Sequence, residues 1–237
     1  MDIKLNFIQK GEGEPLILLH GNGEESGYFK NQIEEFSRHF KVVAVDTRGH
    51  GSSPRGEGPF CLSRFAEDLK CFMDEQNIPK AHILGFSDGG NIAMLFALKY
   101  PERMNKLILN GANLFPSGVK TLVQIPVVIG YWASAFISLF DKKAVAKKEL
   151  LGLMVNEPHI DPRQLSVIDV PTLVIAGDND MIKDSHTRLI ADSIKNSRLR
   201  IIKGDHFIAA KEGESFNAEV LDFLFENNDN INSEGAK

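Results

Sequence analysis

A serine flanked by glycines separates an apolar segment from a helical pattern in the first half of the chain. The residues Gly85-Phe86-Ser87-Asp88-Gly89 follow the apolar run AHIL and precede NIAMLFALKY. The glycines allow a turn too tight for a Cβ at either flank, and the following helix directs free N–H groups towards the serine. A serine that only capped the helix would not need these glycines. The pattern therefore predicts that Ser87 is a nucleophile on a strand–turn–helix.

Short apolar runs alternate with helical patterns along most of the chain. Runs such as PLILLH, KVVAVD and PTLVIAG are apolar throughout, which is typical of parallel strands buried on both faces. The predicted strands are Ile3–Ile8, Leu16–His20, Val42–Asp46, His82–Phe86, Leu107–Asn110, Thr172–Ala176 and Leu199–Ile202. This alternation predicts an α/β fold built on a mostly parallel, doubly wound sheet.

The alternation breaks in two places. Residues 112–170 contain no convincing strand and lie between two predicted strands, so we expect them to form a small helical cap insertion. The core then comprises residues 1–111 and 171–227. The polar end, residues 228–237, lacks apolar periodicity and is predicted to be a flexible tail.

The predicted cap contains Thr121–Phe140, twenty residues without a charge. A segment of this length could cross a membrane. Pro126 and Gly130 interrupt it, however, and a spanning helix would have to leave and re-enter a sheet within one insertion. We therefore expect no stable membrane span.

Composition and charge narrow the possible partners. The formal net charge is −5, with acidic and basic residues mixed along the chain, so nucleic acid is not expected as a partner. The N-terminal segment lacks the basic start and apolar middle of a secretory signal. Cys61 and Cys71 suit neither a disulfide framework nor a metal site. These features predict a cytoplasmic protein with reduced cysteines, without a metal or another cofactor.

A serine hydroxyl is a weak nucleophile and needs a general base, which an acid must orient. His206 follows the last predicted strand, at the sheet edge where such folds build their sites. Three other histidines are predicted to lie on the surface: His39, His159 and His186. Asp178 and Asp180 both follow the apolar strand TLVI, and spacing alone does not decide between them. Asp205 adjoins His206, so their side chains point apart in an extended segment.

Five motifs occur in order along the chain: HGNG at 20–23, DTRGHGSS at 46–53, GFSDGG at 85–90, GDND at 177–180 and GDHF at 204–207. This set resembles the α/β-hydrolase superfamily over nearly the whole chain. The resemblance implies a sheet of about seven to eight strands and Asp180 as the acid. An oxyanion hole needs two donors. One is expected from the backbone N–H of Asp88, and the resemblance implies the backbone N–H of Asn22 as the other.

The resemblance also limits the chemistry. Serine at position 87 argues against epoxide hydrolases and haloalkane dehalogenases, whose pattern has aspartate there. The leading prediction is a carboxylic ester hydrolase that acts on a small, largely apolar substrate through an acyl-enzyme. The alternatives are a lactone or C–C bond hydrolase, an amidase or aminopeptidase-like hydrolase, and a catalytically silent binding protein.

Two predictions concern the substrate pocket. Trp132, Phe136 and Phe140 lie in the uncharged part of the cap and are predicted to line an acyl-binding pocket, although such residues could also pack the cap onto the core. Asp88 adjoins the nucleophile and could favour a cationic substrate. The simpler interpretation, which we prefer, is that Asp88 is stabilised by the dipole of its helix.

Overall fold

The computed structural model describes residues 2–226. Within this range seven strands form a single sheet: β1 (Phe7–Lys10), β2 (Pro15–Leu19), β3 (Lys41–Val45), β4 (Ala81–Phe86), β5 (Met104–Asn110), β6 (Thr172–Gly177) and β7 (Ser197–Ile202). The strand order is β1-β3-β2-β4-β5-β6-β7. β1 pairs with β3 antiparallel, and the other neighbours are parallel.

Helices cover both faces of this sheet. Their bounds are α1 (Lys30–Phe36), α2 (Leu62–Glu75), α3 (Asp88–Lys99), α4 (Thr121–Ile137), α5 (Ala144–Asn156), α6 (Asp184–Ser193), α7 (Ile208–Lys211) and α8 (Gly213–Phe225). The arrangement confirms the predicted α/β class with a doubly wound, mostly parallel sheet and a small helical cap.

Successive residues of the central strands point to opposite faces of the sheet and so contribute to two apolar cores. In β2, Ile17 and Leu19 belong to the cluster that also contains apolar residues of α2, α3 and α6. Leu16 and Leu18 point the other way, into the cluster formed with α1 and α8. Successive strand residues face opposite sides of a sheet, so an uninterrupted apolar run is what a strand covered on both faces requires. The carboxyl ends of these strands meet at one edge, where the candidate site lies.

The bounds predicted for the first strand were wrong. The first strand is Phe7–Lys10 and not Ile3–Ile8. It is an edge strand whose pairing with β3 begins at Phe7, so its limits depend on a partner distant in sequence. The N-cap residue of α2, Cys61, forms no capping hydrogen bond through its side chain. The Leu62 N–H donates instead to the Glu157 carboxylate at 2.8 Å, which supplies the cap from a remote segment.

The segment between β5 and β6 contains α4 and α5, which pack against each other. In the described part of the chain no helix combines the length and apolar character needed to cross a membrane. The predicted flexible tail, residues 228–237, lies outside the described residues.

Candidate active site

Ser87 occupies a strained turn between β4 and α3. Its backbone has φ 53° and ψ −119°, in the left-handed region that non-glycine residues rarely adopt. The flanking glycines permit this turn, because a Cβ at Gly85 would collide with the Gly89 carbonyl and a Cβ at Gly89 would collide with the Leu19 carbonyl. The turn leaves Ser87 at the N-terminus of α3, where the helix dipole favours negative charge.

His206 lies beside this turn and is held by Asp180. The His206 ring packs against Phe86, with 4.8 Å between ring centroids. Its Nδ1 lies 2.7 Å from Asp180 Oδ1, and both side chains are buried. A carboxylate only accepts hydrogen bonds, so Nδ1 carries the proton and Nε2 keeps a free lone pair. A ring in this state can accept a proton from a hydroxyl group.

The other two acid candidates are engaged elsewhere. Asp178 is exposed, and its Oδ1 accepts the Gly204 N–H at 3.0 Å. Asp205 accepts the Phe207 N–H at 2.9 Å and forms an ion pair with Lys211. Asp180 is therefore the one of the three that the structure brings to the His206 ring. Asp180 Oδ1 also accepts the Ile182 N–H at 2.8 Å.

Gly111 leaves the space in which the histidine–aspartate pair sits. Its φ is +60°, and a Cβ there would lie 2.7 Å from His206 Cε1. We expect Gly111→Ala to displace the ring and lower kcat about a hundredfold, since small misplacements of catalytic groups have effects of this size. The matched control is Gly58→Ala, because Gly58 has φ +81° and open space around an added Cβ. Both variants should lose about 1 kcal/mol of stability to backbone strain, and Gly111→Ala should lose more because its Cβ also collides with the ring; denaturation measures both losses. Equal activity in the two would contradict this role for Gly111.

The loop after β2 lies against the nucleophile. A Cβ at Gly21 would be 3.1 Å from the Ser87 Cβ, so only a glycine lets the loop come this close. His20 anchors the loop, because its Nδ1 donates to the Gly21 carbonyl at 2.8 Å and its Nε2 accepts the Thr47 N–H at 3.0 Å. The Asn22 side chain donates to Asp88 Oδ2 and to the Leu150 carbonyl, each at 2.9 Å. Asn22 thereby joins the loop, α3 and the cap.

Asp88 is buried beside Ser87 and paired with amides. In addition to Asn22, the Asn91 side chain donates to its Oδ1 at 3.2 Å. Burial raises the pKa of Asp88, and the two amide hydrogen bonds oppose this shift. Its carboxylate is thus satisfied within the protein, as expected for a first-turn aspartate stabilised by its helix.

Glu24 is a site residue that the sequence did not reveal. Its carboxylate accepts the Gly21 N–H at 3.3 Å. Burial raises the pKa of Glu24 to about 7, against the Gly21 hydrogen bond and the attraction of His206, which lower it. An acid a few residues after a loop glycine has no sequence pattern that distinguishes it from a surface residue.

Glu24 should give the protein a pH-dependent stability. Its pKa in the folded protein lies above the ordinary value of 4.5, so folding retains a proton that the unfolded chain releases. The free energy of unfolding therefore falls as pH rises from about 4.5 to about 7, and this contribution is level above 7. Glu24→Gln removes it, so the variant should gain stability relative to the native protein across that window. Urea denaturation at several pH values measures this difference, with the exposed neighbour Glu25→Gln as control. A constant difference would contradict the assignment.

A small, partly open cavity lies at the nucleophile. Its walls mix apolar residues with two acids, and the lining comprises Ser87, Asp88, Asn113, Val119, Met154, Glu157, Met181 and Ile182. Burial raises the pKa of Glu157, its hydrogen bond from Leu62 lowers it, and the neighbouring Asp88 raises it further. Both ionisable side chains in this lining are thus acidic.

The structure does not bring the predicted aromatic residues to this cavity. Trp132, Phe136 and Phe140 are 65%, 65% and 81% exposed and are absent from its lining. The apolar face of α4 points away from the core, so Met154 of α5 contributes to the cavity wall instead. His186 was also wrongly placed on the surface. It is buried, and its Nε2 accepts the Leu114 N–H at 2.8 Å.

Comparison with known proteins identifies the family of this chain. The family model described as alpha/beta hydrolase fold matches residues 14–143, more than half of the chain. The chain belongs to the α/β-hydrolase fold family. Among solved structures, the enol-lactonase from Burkholderia xenovorans LB400 superimposes with a TM-score of 0.79 at 21% identity, covering 94% of this chain and 97% of that one. That likeness concerns the fold.

Two curated relatives match along nearly their whole length. A 2-hydroxy-6-oxononadienedioate/2-hydroxy-6-oxononatrienedioate hydrolase of Pseudomonas putida is 29% identical, covering 94% of this chain and 93% of that protein. The 3-oxoadipate enol-lactonase 2 of Acinetobacter baylyi is 25% identical, covering 92% of each. Membership of this family and these hydrolase relatives support hydrolase activity on a small molecule.

Proposed function

We propose that this α/β-hydrolase cleaves a carboxylic ester of a small, largely apolar substrate through an acyl-enzyme. The observation that carries the proposal is the buried contact of 2.7 Å between His206 Nδ1 and Asp180 Oδ1, beside a strained Ser87 that opens onto a cavity. The contact leaves Nε2 as the basic atom of the ring. A serine at a helix N-terminus, a basic ring nitrogen and a pocket are what acyl transfer requires.

Each step of the proposed reaction has a residue to perform it. Ser87 Oγ attacks the ester carbonyl carbon while His206 Nε2 takes its proton. The backbone N–H groups of Asp88 and Asn22 donate to the negative oxygen that forms. His206 then returns the proton to the departing alcohol, which leaves Ser87 acylated. Water, deprotonated by His206, attacks the acyl-enzyme, and collapse of the second intermediate releases the acid and restores the serine.

The acidic cavity lining of this chain bears on the charge of the substrate it accepts. The names of the two curated relatives specify a dioate, which has two carboxylates, and the enol-lactone of an oxoadipate, in which one carboxyl group is part of the lactone and the other is free. Asp88 and Glu157 line the cavity of this chain, and at pH values above their raised pKa values they are negatively charged and would repel such substrates. We therefore favour a neutral or cationic ester over an anionic lactone or a dicarboxylate C–C substrate.

A substrate panel tests this proposal. The panel contains p-nitrophenyl esters of graded acyl length beside a lactone, an amide and a diketone, and a neutral diester beside its anionic monoester. Neutral esters should give the highest kcat/KM, and the anionic monoester should be at least about fivefold slower, because like charges cost on the order of 1 kcal/mol or more at a half-buried site. Hydrolysis of the lactone or diketone alone would overturn the ester assignment.

The acid Glu157 should account for part of this charge preference. Glu157→Gln should raise kcat/KM for the anionic monoester and leave that for the neutral diester nearly unchanged. The matched control is Glu102→Gln, because Glu102 is exposed and does not line the cavity. If the two variants treat the anionic ester alike, Glu157 does not set the charge preference.

A further inference from the structure

Helix α4 carries its polar and apolar residues on the unexpected sides. Gln124 Nε2 donates to the Met154 carbonyl of α5 at 3.0 Å, and Ser134 is 4% exposed. Gly130 also faces α5, since a Cβ there would meet Leu151 at 3.3 Å. A helix on the surface of a globular protein normally turns such residues outwards and buries its apolar ones. In α4, by contrast, Gln124, Gly130 and Ser134 face the protein.

The outward face of α4 is an apolar stripe. Together with Phe140, which lies in the turn just after the helix, it forms a row of six residues spaced three or four apart, which we call the outer stripe: Leu122, Ile125, Ile129, Trp132, Phe136 and Phe140. Their exposed fractions run from 51% at Ile125 to 88% at Leu122. Seventeen helical residues span about 25 Å, so the stripe is continuous over that length. Contiguous apolar patches of this extent mark surfaces that bind an apolar partner.

Positive charge borders the outer stripe at both ends. Lys120 precedes α4, and four lysines follow it at 142, 143, 147 and 148. Residues 120–148 thus contain five lysines and one aspartate, whereas the whole chain has a net charge of −5. None of these lysines forms a side-chain ion pair with any residue in the described range 2–226. The segment is therefore a cationic, apolar surface on an otherwise acidic protein.

We propose that the outer stripe and its flanking lysines dock on an anionic lipid surface, with α4 lying in the plane of the interface. Apolar and aromatic side chains beside lysines are what an interfacial helix presents to anionic lipid headgroups. Trp132 lies in the middle of the stripe, and tryptophan favours the boundary between headgroups and acyl chains.

The charges favour lipid over a second copy of the chain. Two copies packed antiparallel through the outer stripe would bring Lys120 of one against Lys142 and Lys143 of the other. Two copies packed parallel would place the lysines of residues 142–148 in one copy directly against the same lysines in the other. Either arrangement sets like charges together, whereas anionic headgroups neutralise both ends of the stripe.

Docking would bring the cap to the lipid beside the cavity. The Lys120 N–H donates to the Met181 carbonyl at 2.8 Å, and Val119 and Met181 both line the cavity. The outer stripe therefore begins at a wall of the candidate active site. The proposal concerns binding alone and does not depend on which bond the enzyme cleaves.

Trp132 is the single tryptophan of the chain, so its fluorescence reports directly on the stripe. The full-length protein is titrated with vesicles of phosphatidylcholine containing about one-third phosphatidylglycerol, and separately with phosphatidylcholine alone. Co-sedimentation provides a second measure. We expect a blue shift of the emission and co-sedimentation with the anionic vesicles, both weakened by salt, and much less binding to phosphatidylcholine alone.

Substitutions separate the charge contribution from the apolar one. The triple variant K142Q/K143Q/K147Q should partition onto anionic vesicles about a hundredfold more weakly, at roughly fivefold for each lysine removed. Its matched control is K80Q/K195Q/K203Q, three exposed lysines outside the segment. Phe136→Ser with Phe140→Ser should also reduce binding. The folded core should tolerate both changes, because these side chains are mostly exposed. Val167→Ser, at an exposed apolar residue elsewhere, is the control.

Three outcomes would overturn the proposal. The first is no shift and no co-sedimentation with anionic vesicles. The second is equal binding by the native protein and K142Q/K143Q/K147Q. The third is a dimer in vesicle-free buffer, with Trp132 emission already blue-shifted and both features lost in the Phe136→Ser and Phe140→Ser protein, which would assign the outer stripe to a second copy of the chain.

Discussion

Replacing Ser87 with alanine should lower kcat by on the order of a millionfold, close to the loss expected from removing the whole catalytic group. The proposed mechanism has no other group that can form the covalent intermediate. Alanine keeps the Cβ that the turn already accommodates, so the variant should fold, which circular dichroism can verify. The assay uses the best p-nitrophenyl ester of the panel.

Ser63→Ala is the matched control for this loss. Ser63 is exposed and contacts the Cys61 sulfur at 3.3 Å, away from the cavity lining. Its activity should equal that of the native protein. A folded Ser87→Ala protein that kept about one-hundredth or more of the native kcat would contradict a nucleophilic role for Ser87.

Replacing Asp180 with asparagine should lower kcat about ten-thousandfold, as expected when the orienting acid of such a triad is lost. The asparagine amide can donate to His206 Nδ1. That contact would favour the other tautomer, in which Nε2 carries the proton and cannot accept one from Ser87. The shape of the side chain is unchanged, so the loss would come from the tautomer and not from a cavity.

Asp178→Asn is the control for this variant, because it makes the same change two residues away. Asp178 is exposed and accepts a backbone N–H from Gly204, so kcat should change by less than about tenfold, the usual scale for one exposed hydrogen bond. Both variants are assayed for kcat and for thermal unfolding. If Asp178→Asn proved the more damaging while both remained folded, the acid would have to be reassigned to Asp178.

The central strands could be predicted because burial on both faces demands uninterrupted apolar runs. β2, β3 and β6 differ from their predicted limits by a single residue at the ends affected. β1 could not be placed as well, because an edge strand begins where its partner does. The burial of His186 was equally invisible, since the Leu114 N–H that it accepts lies 72 residues earlier in the chain.

Some residues of the candidate site could likewise be predicted from local sequence features, and others could not. Ser87 was marked by its glycines and His206 by its place after a strand, and both are local features of the sequence. Choosing Asp180 over Asp178 needed the family resemblance, because two carboxylates in one turn have no local feature that ranks them. Glu157 reaches the cavity and the start of α2 from a remote segment, and nothing near it in sequence predicts this.

The orientation of the cap helix α4 could not be predicted from the sequence. Its uncharged stretch predicted a helix, and α4 forms there. The stretch did not indicate which side faces the protein, because a helix apolar around most of its circumference has no obvious inner face. The structure turns Gln124 and Ser134 inwards, and so Trp132, Phe136 and Phe140 point to the outside.

The central claim is that Ser87 becomes covalently acylated, and one measurement tests it directly. The native protein is treated with a fluorophosphonate probe, digested and mapped by mass spectrometry, beside the Ser87→Ala protein. We expect one label per chain, on the peptide that contains Ser87, and no label on the variant. Labelling at another residue, or equal labelling of Ser87→Ala, would contradict the assignment of Ser87 as the nucleophile.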